Sequence, residues 1–287
     1  MSKSVHIIYN PAAGSAKEKL VFAATERLQD LGMTVSVEET AGPNMASEMA
    51  QRAKSDILVA AGGDGTVREV IDGLAGSEKS LAIFPMGTAN VLAAEMCLKP
   101  GVEAVVNTIR YGVSKPLHLG VANDRHFAVM ASIGFDADVV AHVSLPLKKR
   151  IGKLAYIIAG IRELIAFQPK TFRVTIDGNR YQCGGAIISN GRYYGGKFVC
   201  APAARVTDAR LHVCLLRSSR RLDIVRYGIA FIFGRFPNCR GVKVVEGQTI
   251  QIDGTKAAIQ ADGDIIGYTP TTIASKSYKG PAIVMPV

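Results

Sequence analysis

Several features are scarce in this 287-residue chain, and each scarcity removes a class of function. No apolar run approaches the roughly 18 residues that a membrane span requires. The longest, LAYIIAGI at 154–161 and YGIAFIFG at 227–234, stop well short. The opening residues, MSKSVHIIYN, hold no apolar core of a signal peptide, so a cytosolic setting is expected. Five cysteines (Cys97, Cys183, Cys200, Cys214, Cys239) are odd in number and form no C-x-x-C pair. Reduced thiols used as small apolar residues are therefore expected. Five histidines show no metal-ligand spacing, so no zinc site is assigned. Repeats and low-complexity linkers are absent, and so is any G-x-x-x-x-G-K-[ST] phosphate loop. With 48% hydrophobic residues, the chain has room for one large or two ordinary globular domains.

Charge is present but uneven. Residues 1–120 hold 11 Lys and Arg against 13 Asp and Glu, while residues 121–287 hold 23 against 11. The basic excess belongs to the second part alone. A polyanionic surface, anionic lipid or nucleic acid, is one natural partner, and a solvated basic face with no partner is the other reading. No DNA- or RNA-reading motif appears, so no nucleic-acid partner is assigned.

The first 120 residues alternate strand and helix. Strands are expected at 4–10, 33–40, 56–62 and 80–85, with helices at 15–32, 43–53, 66–74 and 88–98, Pro43 lying near the first position of its helix. That alternation predicts a parallel, doubly wound sheet, in which ligands bind at the carboxyl ends of the strands. NPAAGS, GGDGT and MGTAN all fall at such ends. After about residue 117 the texture becomes short β-rich runs with turn signals, including a hairpin about Asp177-Gly178. Two helical inserts, 148–167 and 220–236, interrupt it. The expected fold class is an α/β N-terminal domain with a doubly wound parallel sheet, followed by a mostly-β C-terminal domain.

The stretch AAGGDGTVREV (60–70) concentrates three glycines and one carboxylate between a strand and a helix. Glycine admits positive φ and lets backbone approach a ligand closely. A helix N-terminus offers unpaired N–H groups to an anion. GGDGT thus reads as a phosphate cradle, although alone it could equally be a tight strand-to-helix turn. It is no dinucleotide fingerprint, because Arg68 stands where the third glycine would be. Val67, Val70, Ile71 and Leu74 share one face of the helix that follows.

GGDGTVREVIDGL followed by PMGTAN resembles the diacylglycerol kinase catalytic-domain family, which includes bacterial lipid kinases, sphingosine kinases and ceramide kinases. The likeness runs nearly the whole chain: Asn10-Pro11 with Gly14-Ser15, SIGFDADVV (132–140), SNGRYYGGKFVCAPAARVTDARL (189–211) and QADGD (260–264) each resemble a family motif, in order. The resemblance implies the two-domain plan shared by NAD kinases and diacylglycerol kinases. A nucleotide-binding domain would span 1–117 plus a returning strand at 279–287, and a β-rich lipid-binding domain 118–278. It implies ATP phosphates on Gly62, Gly63, Asp64, Gly65, Thr66, Val67 and Arg68, helped by Asn10, Thr40 and Thr88. It implies a structural Mg²⁺ at Arg205, Asp208 and Arg210, two of them through backbone carbonyls. It implies Asp264 as general base, with Asp64 as the metal or water ligand. Without the resemblance, Asp262 and Asp264 read as turn residues of a D-G hairpin.

Four positions depart from the family pattern. Asp264 stands where most members carry Glu, Val91 replaces the Asp of GT-x-N-D, His118 replaces an Asp before Leu-Gly, and Ala209 replaces a Gly. In some members the aspartates at the second and third of these positions join the Asp of GGDGT in a water and metal network, which leaves Asp64 working alone here. The resulting reading is an ATP- and Mg²⁺-dependent lipid kinase, cytoplasmic and peripheral on the inner membrane face. Diacylglycerol is the default acceptor, with ceramide or a sphingoid base as rivals, and a homodimer is allowed for. Residues 148–167, basic at the start and apolar along one stripe, fit either an interfacial helix or an ordinary packed one. An NAD kinase lacks support in its Asn-Glu and G-S-T-A-Y motifs, which are missing, and a catalytically degenerate membrane-binding protein is the remaining alternative.

Overall fold

A computed structural model of the chain describes residues 3–11, 15–143, 154–276 and 282–286. The chain divides into two compact units, residues 1–117 with 277–287, and residues 118–276.

In the first unit, β1 (Ser4–Tyr9), α1 (Ser15–Asp30), β2 (Thr34–Glu39), α2 (Met45–Arg52), β3 (Ile57–Gly62), α3 (Asp64–Leu74) and β4 (Ser80–Pro85) alternate. Then come α4 (Val91–Glu95), α5 (Val102–Tyr111) and β5 (Val113–Pro116). The last strand of the chain, β20 (Ala282–Met285), returns here. The sheet order is β2-β1-β3-β4-β20-β5, parallel except for the β20–β5 pair. β3 reads ILVAAG and all six residues are buried, as a central parallel strand covered on both faces requires. The apolar face of α3 seats Val67, Val70, Ile71 and Leu74 in the core. The parallel, doubly wound expectation holds.

Three helix limits differ from the sequence reading. α3 begins at Asp64 rather than Thr66, so the Asp-Gly-Thr of the motif is its first turn. α2 begins at Met45, because Asn44 takes the left-handed conformation (φ 66°), leaving Pro43 outside the helix. The expected helix 88–98 shrinks to Val91–Glu95, since Asn90 is also left-handed (φ 47°) and Cys97 (φ 56°) follows its end. Helix α5 was not anticipated.

The second unit contains β6 (Leu119–Ala122), β7 (Arg125–Phe127), β8 (Met130–Ile133), α6 (Phe135–His142), α7 (Leu154–Ala166), β9 (Phe172–Ile176), β10 (Asn179–Cys183) and β11 (Gly185–Ser189). It continues with β12 (Tyr193–Tyr194), β13 (Phe198–Val199), β14 (Leu211–Leu216), α8 (Arg221–Ile232), β15 (Val242–Gly247), β16 (Thr249–Gly254), β17 (Ala258–Ala261), β18 (Asp264–Tyr268) and β19 (Thr271–Lys276). Two six-stranded antiparallel sheets, β10-β9-β16-β19-β6-β7 and β15-β14-β11-β8-β17-β18, share one apolar core that includes Phe127, Ile133, Phe172, Ile188, Val213, Ile250 and Ile259. This is a β-sandwich. Its hairpins turn on Asp177-Gly178 (φ 44° and 85°) and Asp262-Gly263 (φ 46° and 89°), both pairs left-handed as a two-residue turn between twisted strands demands. Residues 148–153, the basic start of the first expected helical insert, lie outside the described residues.

Candidate active site

The carboxyl ends of β1, β2, β3 and β4 line up along one edge of the first sheet, with Tyr9 opposite both Glu39 and Ala61, and Gly62 opposite Pro85. The nominated nucleotide residues collect there. Asn10 follows β1 and donates its N–H to Ala61 O (3.2 Å); Thr40 follows β2 and donates to Tyr9 O (2.9 Å). Thr88 lies exposed in the loop after β4. Lys17, on the first turns of α1, reaches the Met86 carbonyl of that same loop, a cation that no motif had indicated. An open cavity of about 500 Å³ lies at the opposite end of this sheet, beside Lys3, Asp56 and Ser114, and none of the nominated residues borders it.

The three motif glycines have different tasks. A Cβ on Gly62 would stand 2.5 Å from Thr66 Oγ1, so this glycine lets α3 start tightly against β3. Gly63 and Gly87 pack backbone to backbone: a Cβ on Gly87 would stand 2.5 Å from Gly63 Cα. GGDGT and MGTAN are thereby one structure. Asn90 closes the second loop on itself, its Oδ1 accepting from Gly87 N–H (2.8 Å) and its Nδ2 donating to Gly87 O (2.7 Å). A Cβ on Gly65 would meet nothing within 4 Å, and the residue is exposed. Gly65 therefore holds open space over the first turn of α3, where N–H groups have no partner within the helix. Val67 N–H is already given to Gly63 O (3.1 Å), and the side chains of Thr66 and Val67 are buried. Arg68 turns its guanidinium to Asp72 on its own helix (3.2 Å). Asp64, expected as a metal or water ligand, commits Oδ1 to the Val91 N–H (2.6 Å) and so caps α4.

In the second unit, three motifs that are far apart in sequence meet at one carboxyl group. Asp136 of SIGFDADVV accepts hydrogen bonds from Ser132 Oγ, from Tyr194 OH of SNGRYYGG, and from Gln260 Nε2 of QADGD (3.1 Å). Gln260 Nε2 also donates to Ser132 Oγ (2.8 Å), and its Oε1 accepts the Gly263 N–H (3.0 Å). The next residue is Asp264, exposed at the start of β18. Asp262 faces the other way. Its carboxylate takes the backbone N–H groups of Ala128 (2.6 Å), Val129 (3.1 Å) and Met130 (2.9 Å), pinning the β17–β18 turn to the approach to β8. The turn reading thus describes Asp262, while Asp264 stands outside the clamp. Asn190 is fully buried and donates from Nδ2 to His118 O (2.8 Å) and Ala128 O (2.7 Å), which fixes the backbone where His118 replaces the family aspartate.

Residues 4–122 match the diacylglycerol kinase catalytic domain, and residues 129–284 match the YegS C-terminal NAD kinase beta sandwich-like domain. The chain belongs to the diacylglycerol kinase catalytic-domain family of lipid kinases. It is 25% identical to a diacylglycerol kinase of Bacillus subtilis, over 99% of this chain and 97% of the relative. It is 32% identical to a protein of Pseudomonas putida named as a probable YegS-like lipid kinase, over 82% and 83% of the two chains. A crystal structure of a diacylglycerol kinase from Bacillus anthracis superposes with a TM-score of 0.77 over 99% of this chain and 97% of that one; at 23% identity this speaks for the fold alone. Membership makes the chain a kinase of the lipid-kinase group, and none of the helices among the described residues is long and apolar enough to cross a membrane.

Set within that family, the Mg²⁺ residues can be tested for fit. Among the described residues no cluster of three His, Cys, Asp or Glu side chains could hold a metal. Arg205, Asp208 and Arg210 instead share one turn: Asp208 N–H donates to Arg205 O (2.8 Å), and Arg210 N–H donates to Asp208 Oδ1 (3.1 Å). A carbonyl and a carboxylate are oxygen donors of the kind a hard cation takes, and here both accept N–H groups of their own turn. The negative charge there is weak, because Arg210 Nε lies 3.9 Å from the same carboxylate while the guanidinium also pairs with Glu246 (2.9 Å).

The residues that sequence reasoning missed are Asp136, Tyr194 and Gln260. Burial holds the Asp136 carboxyl above its ordinary 3.8, against the pull of its hydrogen-bond donors, with Asp138 adding to the rise. A folded-state value above the unfolded one contributes stability that is full below about pH 4 and is lost as pH rises through the raised value. Asp136→Asn keeps the shape and removes the ionisation. Melting temperature measured from about pH 4 to neutrality should therefore fall less steeply for Asp136→Asn than for the unaltered chain.

Proposed function

We propose that this chain transfers the γ-phosphoryl group of ATP to a primary hydroxyl of a membrane lipid, with diacylglycerol as acceptor and ceramide or a sphingoid base as the rival. The observation that supports this most strongly is the Gly63–Gly87 backbone contact. It joins the two glycine loops at the carboxyl ends of the strands and leaves the space over Gly65 open above the first-turn amides of α3. In this reading Gly62, Gly63, Asp64, Gly65 and Thr66 hold the phosphates by backbone, with Asn10, Thr40, Thr88 and Arg68 beside them. Lys17 adds positive charge. Phosphoryl transfer then asks mainly for alignment and charge neutralisation. Mg²⁺, arriving with ATP, supplies that neutralisation when bound. Asp64 would orient it or its water through the oxygen not given to Val91, and Arg205, Asp208 and Arg210 would hold a second, structural ion. Asp264 accepts the proton of the attacking hydroxyl.

The acceptor would be met at a cytoplasmic, inner-face membrane surface. Helix α7 turns Ile157, Ile158, Ile161 and Ile165 to solvent along one arc, the last 71% exposed. Vesicle flotation of a Lys148→Ala/Lys149→Ala/Arg150→Ala variant tests the contribution of this segment, and undiminished binding would count against it.

The deciding experiment follows labelled γ-phosphate from ATP into a lipid extract and identifies the product by mass spectrometry, with Asp64→Ala and Asp264→Ala alongside. A labelled lipid that vanishes in both variants supports the reading and names the acceptor. Label passing to NAD instead would replace it with an NAD kinase, and no transfer to either would mark a chain that has abandoned catalysis.

A further inference from the structure

Helix α8 presents two opposite faces. Its inner face is committed to the fold: Tyr227 and Ala230 are buried, and Phe231 stacks between Tyr194 (4.8 Å) and Phe236 (3.7 Å). Its outer face carries Leu222, Val225, Ile229 and Ile232, with Phe233 just past the end. At about 100° per residue these five fall within an arc of about 100° on the side away from Tyr227. They are not grazed by solvent but stand in it: Leu222 is 84% exposed, Ile232 69% and Phe233 73%. A contiguous, exposed apolar stripe of this kind marks a docking face.

The charge around the stripe selects the occupant. Between residues 217 and 243 the chain has seven Lys and Arg and one acid, Asp223, which is paired with Arg226 at 2.7 Å. Arg221 and Arg226 border the apolar arc on its two sides, and Arg220, Arg235 and Arg240 are exposed near its ends. An apolar stripe with an arginine border suits the boundary between acyl chains and anionic headgroups, where the side chains insert and the guanidiniums meet phosphate. A protein partner would need acidic groups around an apolar ridge; a bilayer supplies both without further fitting.

We infer that α8 is a helix by which this protein lies on an anionic lipid bilayer. The inference rests on the lipid-kinase reading for its purpose, and the structure adds a reason. The Phe231 ring behind the stripe stacks on Tyr194, whose hydroxyl binds Asp136, and Gln260 carries that network to the Gly263 amide beside Asp264. About one helix diameter, 10–12 Å, therefore separates the stripe from the ring stack on which the network begins.

The test uses the full chain, an Ile229→Asp/Ile232→Asp variant, and an Arg220→Ala/Arg235→Ala variant, with vesicles of phosphatidylcholine alone or mixed with phosphatidylglycerol. All four positions are at the surface, and circular dichroism checks that the variants fold. The unaltered chain should float with phosphatidylglycerol vesicles and release as salt rises. The aspartate variant should bind them about tenfold or more weakly, and the arginine variant should lose the preference for phosphatidylglycerol. With a water-soluble short-chain diacylglycerol as acceptor, the aspartate variant should phosphorylate as fast as the unaltered chain. Equal flotation of the aspartate variant overturns the inference. So does a lipid-free dimer that the same substitutions split, because the stripe is then a self-association face. Stripe-dependent flotation without phosphate transfer to any lipid supports the docking helix and removes the kinase reading.

Discussion

Asp264→Ala is expected to lower phosphoryl transfer by about 10²–10⁴-fold, the usual worth of a positioned general base, and to leave thermal stability almost unchanged. Asp262→Ala, two residues away, is expected to do the reverse as its primary effect. Asp262 sets its carboxylate on three successive backbone N–H groups, at 2.6, 3.1 and 2.9 Å, and occupies a left-handed turn position at φ 46°. Alanine would strand those amides and strain the turn, at a cost of about 3–5 kcal/mol. Asp262→Asn should recover part of the loss, since asparagine tolerates the same φ and offers one oxygen. Asp264, by contrast, is exposed, and substitutions at exposed positions usually shift stability by about 0.5 kcal/mol or less. Asp264→Glu should retain activity because the acid is kept, with a reach one methylene longer. Denaturant melts and labelled-phosphate assays on the same four proteins separate the two roles. If Asp264→Ala keeps full activity, the base is elsewhere.

That pair shows how far the sequence carries. The D-G turn of QADGD was legible, because positive φ at two successive positions leaves few residue choices and Asp-Gly is one. The strands of the first unit were legible for a similar reason, since ILVAAG and SLAIFP are apolar enough to be buried wherever they pair. The glycine loops were legible as a chemistry but not as a shape. Nothing in GGDGT or MGTAN announces that Gly63 and Gly87 touch, because contact between residues 24 positions apart is decided by the register of β3 on β4. The same limit hid the Asp136 network. Ser132, Asp136, Tyr194 and Gln260 come from a strand, a helix start, a two-residue strand and another strand; the pairing of β17 with β8 sets Gln260 opposite Ser132, and Tyr194 reaches Asp136 from a separate two-stranded hairpin. Local signals also misplaced helix ends where a single left-handed asparagine intervened, at Asn44 and Asn90, since a helical pattern of apolar residues continues past a conformation that breaks it. The apolar stripe of α8 was visible as hydrophobicity, but its exposure was not: a helix packed on a sandwich and a helix lying on a bilayer share one pattern.

Gly65→Ala should raise stability while weakening ATP, and that opposition would test the nucleotide site without any lipid. Gly65 lies in the first turn of α3 at a φ that alanine can adopt, and its added methyl meets nothing within 4 Å. Replacing a helical glycine with alanine in open space stabilises by about 0.5–1 kcal/mol, mostly by restricting the unfolded chain. For a unit of this size that is a rise of roughly 1–4 °C in melting temperature. If phosphate oxygens pack on the α3 amides, the same methyl occupies their place, and affinity for an ATP analogue should fall about tenfold or more, ~1.4 kcal/mol. The neighbouring glycines calibrate the result. Gly62→Ala drives a Cβ to 2.5 Å from Thr66 Oγ1, and Gly63→Ala places one 3.3 Å from Gly87 Cα, so both should lose stability along with affinity. Only at Gly65 do the two quantities part. Equilibrium binding of the analogue together with a thermal melt decides the matter: a variant that is more stable and binds as tightly as before would remove the phosphate cradle from the carboxyl end of β3.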